Sequence, residues 1–449
     1  MSPFNNHSNK NSFPDRIIIF GRYPVPGKSK TRLIPKLGPA GAADLYRILM
    51  EKTFNTVKES ASESPFGIEV NFEEGSRQKM RNWLGSVPFL SSQHPGDLGQ
   101  RMYMAFREAF RIGCRKVLLI GTDIPEISKE LLKEAFDELN NNDIVLGPST
   151  DGGYWLIGLK RPINLFQGVQ WGGETVLNQT IALAKKDGLG LHLLAPLTDI
   201  DRIEDIMSLL PEKDWNAPYL SIIIPAMNEQ SNISATIHSA RDRDAEIIVV
   251  DGGSTDETRE EAILLGARVL SGTPGRALQQ NLGASVSRGK TLLFLHSDTL
   301  LPKSYMNLIF ETLMDPGVAA GAFRFKTDHN SPSMKIIELA ANIRSQYLNL
   351  PYGDQGLFLK KTVFDTVGGF PDVPIAEDLY LVRRLARTGR IRIAKDYVIT
   401  SARRWQRLGI FRTTLINYLI LAGCIAGVSP QRLASLYPIP RKKRSSVPV

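Results

Sequence analysis

Short apolar runs that end in glycine or polar residues alternate along this chain with stretches of helical spacing. Residues 16–22 (RIIIFGR) and 116–122 (KVLLIGT) read as buried strands, with 143–146 and 191–194 as weaker ones. Apolar positions recur at helical spacing over 40–57, 98–112 and 129–139. The pattern then restarts at 219–225 (YLSIIIP) and continues through 246–251 (EIIVVD) and 291–298 (TLLFLHSD). A polar stretch with two prolines, 211–218 (PEKDWNAP), separates the two series and reads as a linker. Such alternation predicts α/β domains with mostly parallel sheets. The expected organisation is a disordered tail over 1–15, a domain over 16–210, the linker 211–218, a second domain over 219–405, and a helical, basic extension over 406–449.

Composition narrows the class. A length of 449 residues suits two or three domains, and 42% hydrophobic with 22% charged residues is ordinary for soluble globular protein. Cys114 and Cys424 are the only cysteines, which argues against a disulfide framework and fits a reducing, cytoplasmic setting. The six histidines lack metal-ligand spacing, so a zinc site is not expected. No apolar secretion signal opens the chain.

The net charge of +9 is concentrated at one end. After Asp396 there is no acidic residue, while Arg403, Arg404, Arg407, Arg412, Arg432, Arg441, Lys442, Lys443 and Arg444 all follow it. The predicted partner of this segment is an anionic membrane surface, and no nucleic-acid partner is expected. Residues 410–428 are apolar except for Arg412, Thr413, Thr414 and Asn417, and their clean part, 418–428, is too short to cross a bilayer. An interfacial helix and a buried helix with a solvated tail both fit them.

Each half carries an aspartate just past an apolar strand: Gly121-Thr122-Asp123 in the first, His296-Ser297-Asp298 in the second. Open α/β sheets bind ligands at the carboxyl ends of their strands. The second half adds Pro225-Ala226-Met227-Asn228-Glu229, Asp251-Gly252-Gly253-Ser254-Thr255-Asp256 and Ile375-Ala376-Glu377-Asp378, in that order around Asp298. Over roughly residues 219–405 this resembles the family 2 glycosyltransferases. The chemistry suits the residue types. Glu229 and Asp251 can accept hydrogen bonds from ribose hydroxyls and base N–H groups, and Gly252 and Gly253 allow the sharp turn. A leaving diphosphate needs a divalent cation, Mg2+ or Mn2+, for which Asp298 is the ligand. The resemblance makes Asp378 the base that takes the acceptor proton, Glu377 its neighbour, and Arg276 a nucleotide contact. Gly353-Asp354-Gln355-Gly356 is similar to the loop before the acceptor site, and a plain turn fits it equally. Where the family shows Asp-x-Asp, the first position here is His296, able to ligate the metal or to bond a phosphate. Arg403-Arg404-Trp405 keeps the Arg-Trp of processive members without their glutamine. That implies single-sugar transfer, with Arg404 near the diphosphate and Trp405 near the acceptor.

The first half runs from its opening strand into Gly21-Arg22-Tyr23-Pro24-Val25-Pro26-Gly27-Lys28-Ser29-Lys30-Thr31-Arg32, a glycine-bearing basic loop without Walker A spacing. Gly96-Asp97-Leu98-Gly99-Gln100-Arg101-Met102, Asp151-Gly152-Gly153-Tyr154 and Asp199-Ile200-Asp201 follow. Over roughly 16–208 the set resembles a nucleotidyltransferase-like family of the DUF2064 type, related to the phospholactate guanylyltransferases. Members of that family, like those resembled by the second half, often carry the name of arsenosugar-biosynthesis glycosyltransferases. The resemblance implies a metal ion on Asp123 and Asp201, phosphates on Lys28 and Arg32, and a nucleotide or sugar pocket shaped by Asp151. Trp171-Gly172-Gly173-Glu174-Thr175 departs from that family's Trp-Gly-Thr.

Together the resemblances imply two GT-A-like (Rossmann-like) nucleotide-binding domains in tandem. The expected function is metal-dependent, inverting transfer from a nucleotide sugar to an acceptor hydroxyl, beside a nucleotide- or nucleotide-sugar-using first domain. Two sequential glycosyltransferases, or a membrane-surface scaffold with inactive sites, are the alternatives.

Overall fold

The computed structural model describes residues 13–210 and 214–436. The chain divides into two compact units between Trp215 and Asn216. Strands of the first unit are β1 (Asp15–Arg22), β2 (Gly67–Glu73), β3 (Phe89–Ser92), β4 (Lys116–Ile120), β5 (Ile144–Pro148), β6 (Tyr154–Leu159) and β7 (Leu191–Leu193). They form one sheet in the order β3-β2-β1-β4-β6-β5-β7. The second unit holds β8 (Leu220–Ala226), β9 (Ala245–Asp251), β10 (Arg268–Ser271), β11 (Thr291–Phe294), β12 (Thr299–Leu300), β13 (Val318–Thr327), β14 (Leu357–Lys360) and β15 (Arg390–Thr400). Its order is β10-β9-β8-β11-β14-β13-β15-β12.

Apart from the short edge strand β12, the two sheets have the same order and the same directions. In each, four parallel strands precede one antiparallel strand, β6 between β4 and β5 or β14 between β11 and β13. A last strand, β7 or β15, then pairs in parallel with the sixth, β5 or β13. The expected tandem of GT-A-like α/β domains is borne out.

Burial explains which strands form the middle. Ile17, Ile18 and Ile19 of β1 and Ile222, Ile223 and Ile224 of β8 are fully buried, as in strands covered by helices on both faces. Phe106, Phe166 and Ile157 pack on Ile18 in the first core. Phe294, Phe364 and Phe370 pack on Ile223 in the second. Helix Arg276–Ser285 approaches β8 so closely that a Cβ on Gly283 would lie 2.5 Å from Ile223.

Several expected boundaries move. Strand 116–122 ends at Ile120 and strand 291–298 at Phe294, which leaves Asp123, His296 and Asp298 in the loops beyond the sheet. The helix expected over 40–57 lies inside Ile34–Glu63, which is interrupted at Gly38 (φ 71) ahead of Pro39. In the expected linker, residues 211–213 lie outside the described residues. Trp215 is buried against Leu45, Leu49 and Ile206 and donates to the Leu210 carbonyl at 3.1 Å. Of the expected tail, residues 1–12 are outside the described residues and Asp15 already belongs to β1. The C-terminal extension forms helices Arg403–Leu408, Ile410–Ile425 and Pro430–Ala434, while Arg441, Lys442, Lys443 and Arg444 lie outside the described residues.

Candidate active sites

In the second unit, loops from the carboxyl ends of β8 and β11 meet the starts of helices Arg276–Ser285, Glu377–Leu385 and Arg403–Leu408. Together they enclose a cleft of about 960 Å3. Glu229, Arg276, His296, Asp298, Glu377, Asp378, Arg404 and Trp405, all named from the sequence, line it. The Arg276 guanidinium lies 3.2 Å from Glu377 Oε1. Burial raises the proton affinity of Glu377, Arg276 opposes that shift, and Asp378 adds to it. Ala376, in left-handed backbone (φ 60), turns the chain into the helix that presents both carboxylates.

Asp378 is oriented by backbone. Its Oδ2 accepts from Gly353 N at 2.6 Å and its Oδ1 from Leu379 N at 2.8 Å. Gly353 has no room for a side chain, since a Cβ there would sit 3.0 Å from His296 Nε2 and 3.3 Å from Asp378 Oδ2. His296 is half-buried, and its Nε2 is enclosed with no hydrogen-bond partner among the described residues. Burial, then Arg276 and Arg404, hold its proton affinity well below the usual imidazole range, so the ring is neutral. Asp298 is raised by burial, with Arg403 opposing and Glu229 reinforcing.

Arg403 escaped the sequence reading. Its guanidinium lies 3.2 Å from Asp298 Oδ2 and also donates to Glu229 Oε1. Asp354, left open between turn and site, is enclosed in the cleft wall with Oδ1 unpartnered among the described residues. Burial and Asp378 push it up to about 6. Asp251 does not line the cleft. Its carboxylate accepts from Gly253 N at 3.1 Å and Ser254 N at 3.2 Å and so holds the turn after β9. Arg404 donates to Asn417 Oδ1 at 3.2 Å, and the Trp405 ring lies 6.1 Å from that of Phe325. Within the motif around Arg276, Gln279 ties β8 to β9, donating to the Ala226 and Val250 carbonyls at 3.0 and 2.7 Å.

The first unit has its own cleft, about 930 Å3, at the carboxyl ends of β1 and β4. Arg32, Asp123, Asp151 and Asp201 line it, and Lys28 does not. Lys28 extends to Glu74, 3.1 Å away. Lys30 takes the inner position instead. Its buried ammonium lies 3.2 Å from Asp123 Oδ1 and 3.4 Å from Asp201 Oδ1, and donates to the Ile200 carbonyl at 2.5 Å. Arg32 binds the other oxygen of Asp201. Asp199, beside them, is pushed up to about 6 by burial and by Asp151 and Asp201. Asp151 accepts from Gly153 N at 3.0 Å and from Ser149 Oγ, which shapes the turn into β6. The Asp97 motif is chiefly a helix start: Asp97 and Gln100 form a capping box, and Arg101 reaches Glu73 at 3.2 Å.

Residues 221–370 match the family described as Glycosyl transferase family 2, and residues 56–173 match one described as an uncharacterized protein conserved in bacteria, DUF2064. The chain carries both domains. Glucosyl-3-phosphoglycerate synthase of Mycolicibacterium paratuberculosis is 32% identical over 122 residues, 21% of this chain and 36% of that one. A PGL/p-HBAD biosynthesis glycosyltransferase of Mycobacterium bovis is 39% identical over 95 residues, 19% of this chain and 37% of that one. The chain thus spans little more than a third of these relatives' lengths. Among solved structures, a mannosyltransferase from Pyrobaculum calidifontis in complex with GDP-Man and Mn2+ is 19% identical. It aligns over 49% of this chain and 68% of its own, with a TM-score of 0.38.

The two domains differ in how they suit a divalent ion. In the family 2 domain, a neutral imidazole with an unpartnered Nε2 and the Asp298 carboxylate suit an ion whose remaining ligands are substrate oxygens, and Arg403, 3.2 Å from Asp298 Oδ2, would share or yield that oxygen to it. In the DUF2064 domain the fit fails, because the Lys30 ammonium already stands between Asp123 and Asp201. Among the described residues, no three histidine, cysteine or acidic side chains converge as a full protein cage.

Proposed function

We propose that the family 2 domain transfers a sugar from a nucleotide sugar to an acceptor hydroxyl, with inversion. The observation that carries this reading is the convergence of Glu229, Arg276, His296, Asp298, Glu377 and Asp378 on one cleft within that domain. Glu229 and the turn held by Asp251 receive the nucleoside. His296 and Asp298 would hold Mg2+ or Mn2+, which would supply positive charge to offset that developing on the departing diphosphate. Arg276, Arg403 and Arg404 add fixed positive charge beside that group. Asp378, kept in place by the Gly353 and Leu379 amides, accepts the acceptor's proton through a remaining carboxylate lone pair. The acceptor oxygen bonds to the anomeric carbon as the bond from that carbon to the diphosphate oxygen breaks. Trp405 lies on the acceptor side.

The DUF2064 domain, by this proposal, uses a nucleotide or nucleotide sugar of its own. Its shared strand order and the basic Arg32 at the cleft support that reading. The proposal extends to peripheral association with an anionic membrane surface. The deciding experiment incubates purified protein and Mn2+ with nucleoside-diphosphate sugars, or with nucleoside triphosphates and sugar phosphates, and follows nucleotide and pyrophosphate release. Diphosphate release lost in Asp298→Ala supports transfer in the family 2 domain. Pyrophosphate release lost in Asp123→Ala makes the first domain a nucleotidyltransferase. Release unaffected by either substitution would refute the site assignments.

A further inference from the structure

Helix Pro332–Tyr347 packs its inner face, through Met334, Ile337 and Ala341, on Phe325 and Trp405. Its outer face is also apolar. Ile336, Leu339, Ile343 and Tyr347 follow one another at helical spacing, and Ile336 and Tyr347 are 68% and 73% exposed. Helix Ile410–Ile425 packs against it and repeats the arrangement. Inward it turns Asn417, Ile420 and Leu421, which line the transfer cleft. Outward it presents Phe411, Leu415, Tyr418 and Leu419, with Phe411 88% exposed. A soluble surface tolerates such residues singly, whereas two adjacent helices with apolar outer stripes form a contiguous patch that calls for a partner.

The charges around the patch specify that partner. Lys335, Arg407 and Arg412 are exposed beside it. The acid on the first helix, Glu338, is turned inward to accept from the Thr327 amide and hydroxyl at 2.7 Å. From residue 397 to the end of the chain there is no other acid. Apolar and aromatic side chains ringed by arginine and lysine match an interface of acyl chains below anionic headgroups. Spanning is ruled out for this helix, since 16 residues reach about 24 Å against roughly 30 Å of hydrocarbon.

We propose that this two-helix face lies in the surface of an anionic bilayer, the helix Ile410–Ile425 forming the wall between membrane and cleft. The idea deepens the peripheral-association reading by locating it on the helices rather than on the basic end of the chain. One helix diameter, ~10 Å, then separates the lipid surface from the transfer cleft, within reach of a lipid headgroup hydroxyl.

The test is co-sedimentation of the full chain with equimolar phosphatidylglycerol–phosphatidylcholine vesicles and with phosphatidylcholine alone, without donor or acceptor. A failure of the transferase reading therefore leaves this result untouched. The expected result is binding to the anionic vesicles, weakened by salt. Partitioning should fall by about tenfold in Phe411→Ser/Leu415→Ser and in Ile336→Ser/Leu339→Ser. Thermal midpoints of these surface variants should match the parent, which separates lost docking from lost folding. Three outcomes would overturn the proposal. One is protein left in the supernatant with anionic vesicles. Another is binding that both variants retain and that deletion of residues 437–449 abolishes. The third is a dimer, seen by light scattering, that the same substitutions dissociate.

Discussion

Lys30 Nζ stands 3.2 Å from Asp123 and 3.4 Å from Asp201, so a side-chain cation occupies the ground between the two carboxylates that the sequence offers as metal ligands. Arg32 completes the neutralisation of Asp201. The Asp123–Asp201 pair is therefore neutralised by its own chain.

Removing that ammonium exposes the dependence. Lys30→Met should cost roughly 1–3 kcal/mol, between the values for exposed and for fully buried pairs, because Lys30 is buried while both aspartates are partly solvated. In an Asp298→Ala background, Mg2+ should raise the melting midpoint of Lys30→Met and leave the otherwise unaltered background unchanged. Equal stabilisation of both by Mg2+ would show that Lys30 does not stand in for the ion.

Asp378→Asn keeps the shape of the side chain and, through its single amide oxygen, one of the two backbone contacts to Gly353 and Leu379, but gives up the basic oxygen. Turnover should drop by ~100- to ~10,000-fold while nucleotide-sugar affinity stays within a few fold. Steady-state kinetics and a binding titration read the two separately. A variant with near-parental turnover would refute the role of Asp378 as base.

Gly353→Ala should place a methyl group 3.0 Å from His296 Nε2 and 3.3 Å from Asp378 Oδ2. Displacing a positioned base by a fraction of an ångström to an ångström costs up to about 100-fold, so a fall of that order in kcat is expected with little change in fold. Circular dichroism and kcat measured on one preparation decide it. An unaltered kcat would mean that the contact is not needed for transfer.

Asp354 contributes a pH dependence of stability. Its folded pKa of about 6 lies above the unfolded carboxyl value of ~3.9, so the fold binds more protons than the unfolded chain between those limits. Stability attributable to this group is present below about pH 4 and lost as pH rises through about 6. The loss totals roughly 2–3 kcal/mol if the whole shift is realised. Asp354→Asn should remove that slope. Urea denaturation of parent and variant at pH 4.5 and pH 7 tests this, and parallel stabilities would dismiss it.

How much the sequence revealed depended on burial. Strands β1, β4, β8, β9 and β11 announce themselves as continuous apolar runs because helices cover both their faces. The antiparallel strands β6 (Tyr154–Leu159) and β14 (Leu357–Lys360) carry apolar runs as well and were not singled out. Gly158 near the end of β6, and the helix that follows β14 at once, leave those runs without the glycine or polar ending that marks the others. Site residues that follow a strong strand, such as Glu229, His296 and Asp298, were legible for the same reason. Arg403 was not singled out, because its link to Glu229 joins positions 174 residues apart. Lys28 and Lys30 cannot be ranked from spacing, and the left-handed turn at Lys30 (φ 47) sends one inward while Glu74 keeps the other outside.

The repeated strand order has a consequence for how chemistry is distributed along the chain. Among the described residues, neither sheet borrows a strand from the other. Whatever distinguishes the two halves must therefore reside in the loops above a common frame: a lysine between two aspartates in one, an imidazole beside an aspartate in the other. Such loops can be rewritten without disturbing the ladder beneath them. Exchanging the residues after β1 and β4 for those after β8 and β11 is then a change of reagent rather than a change of architecture.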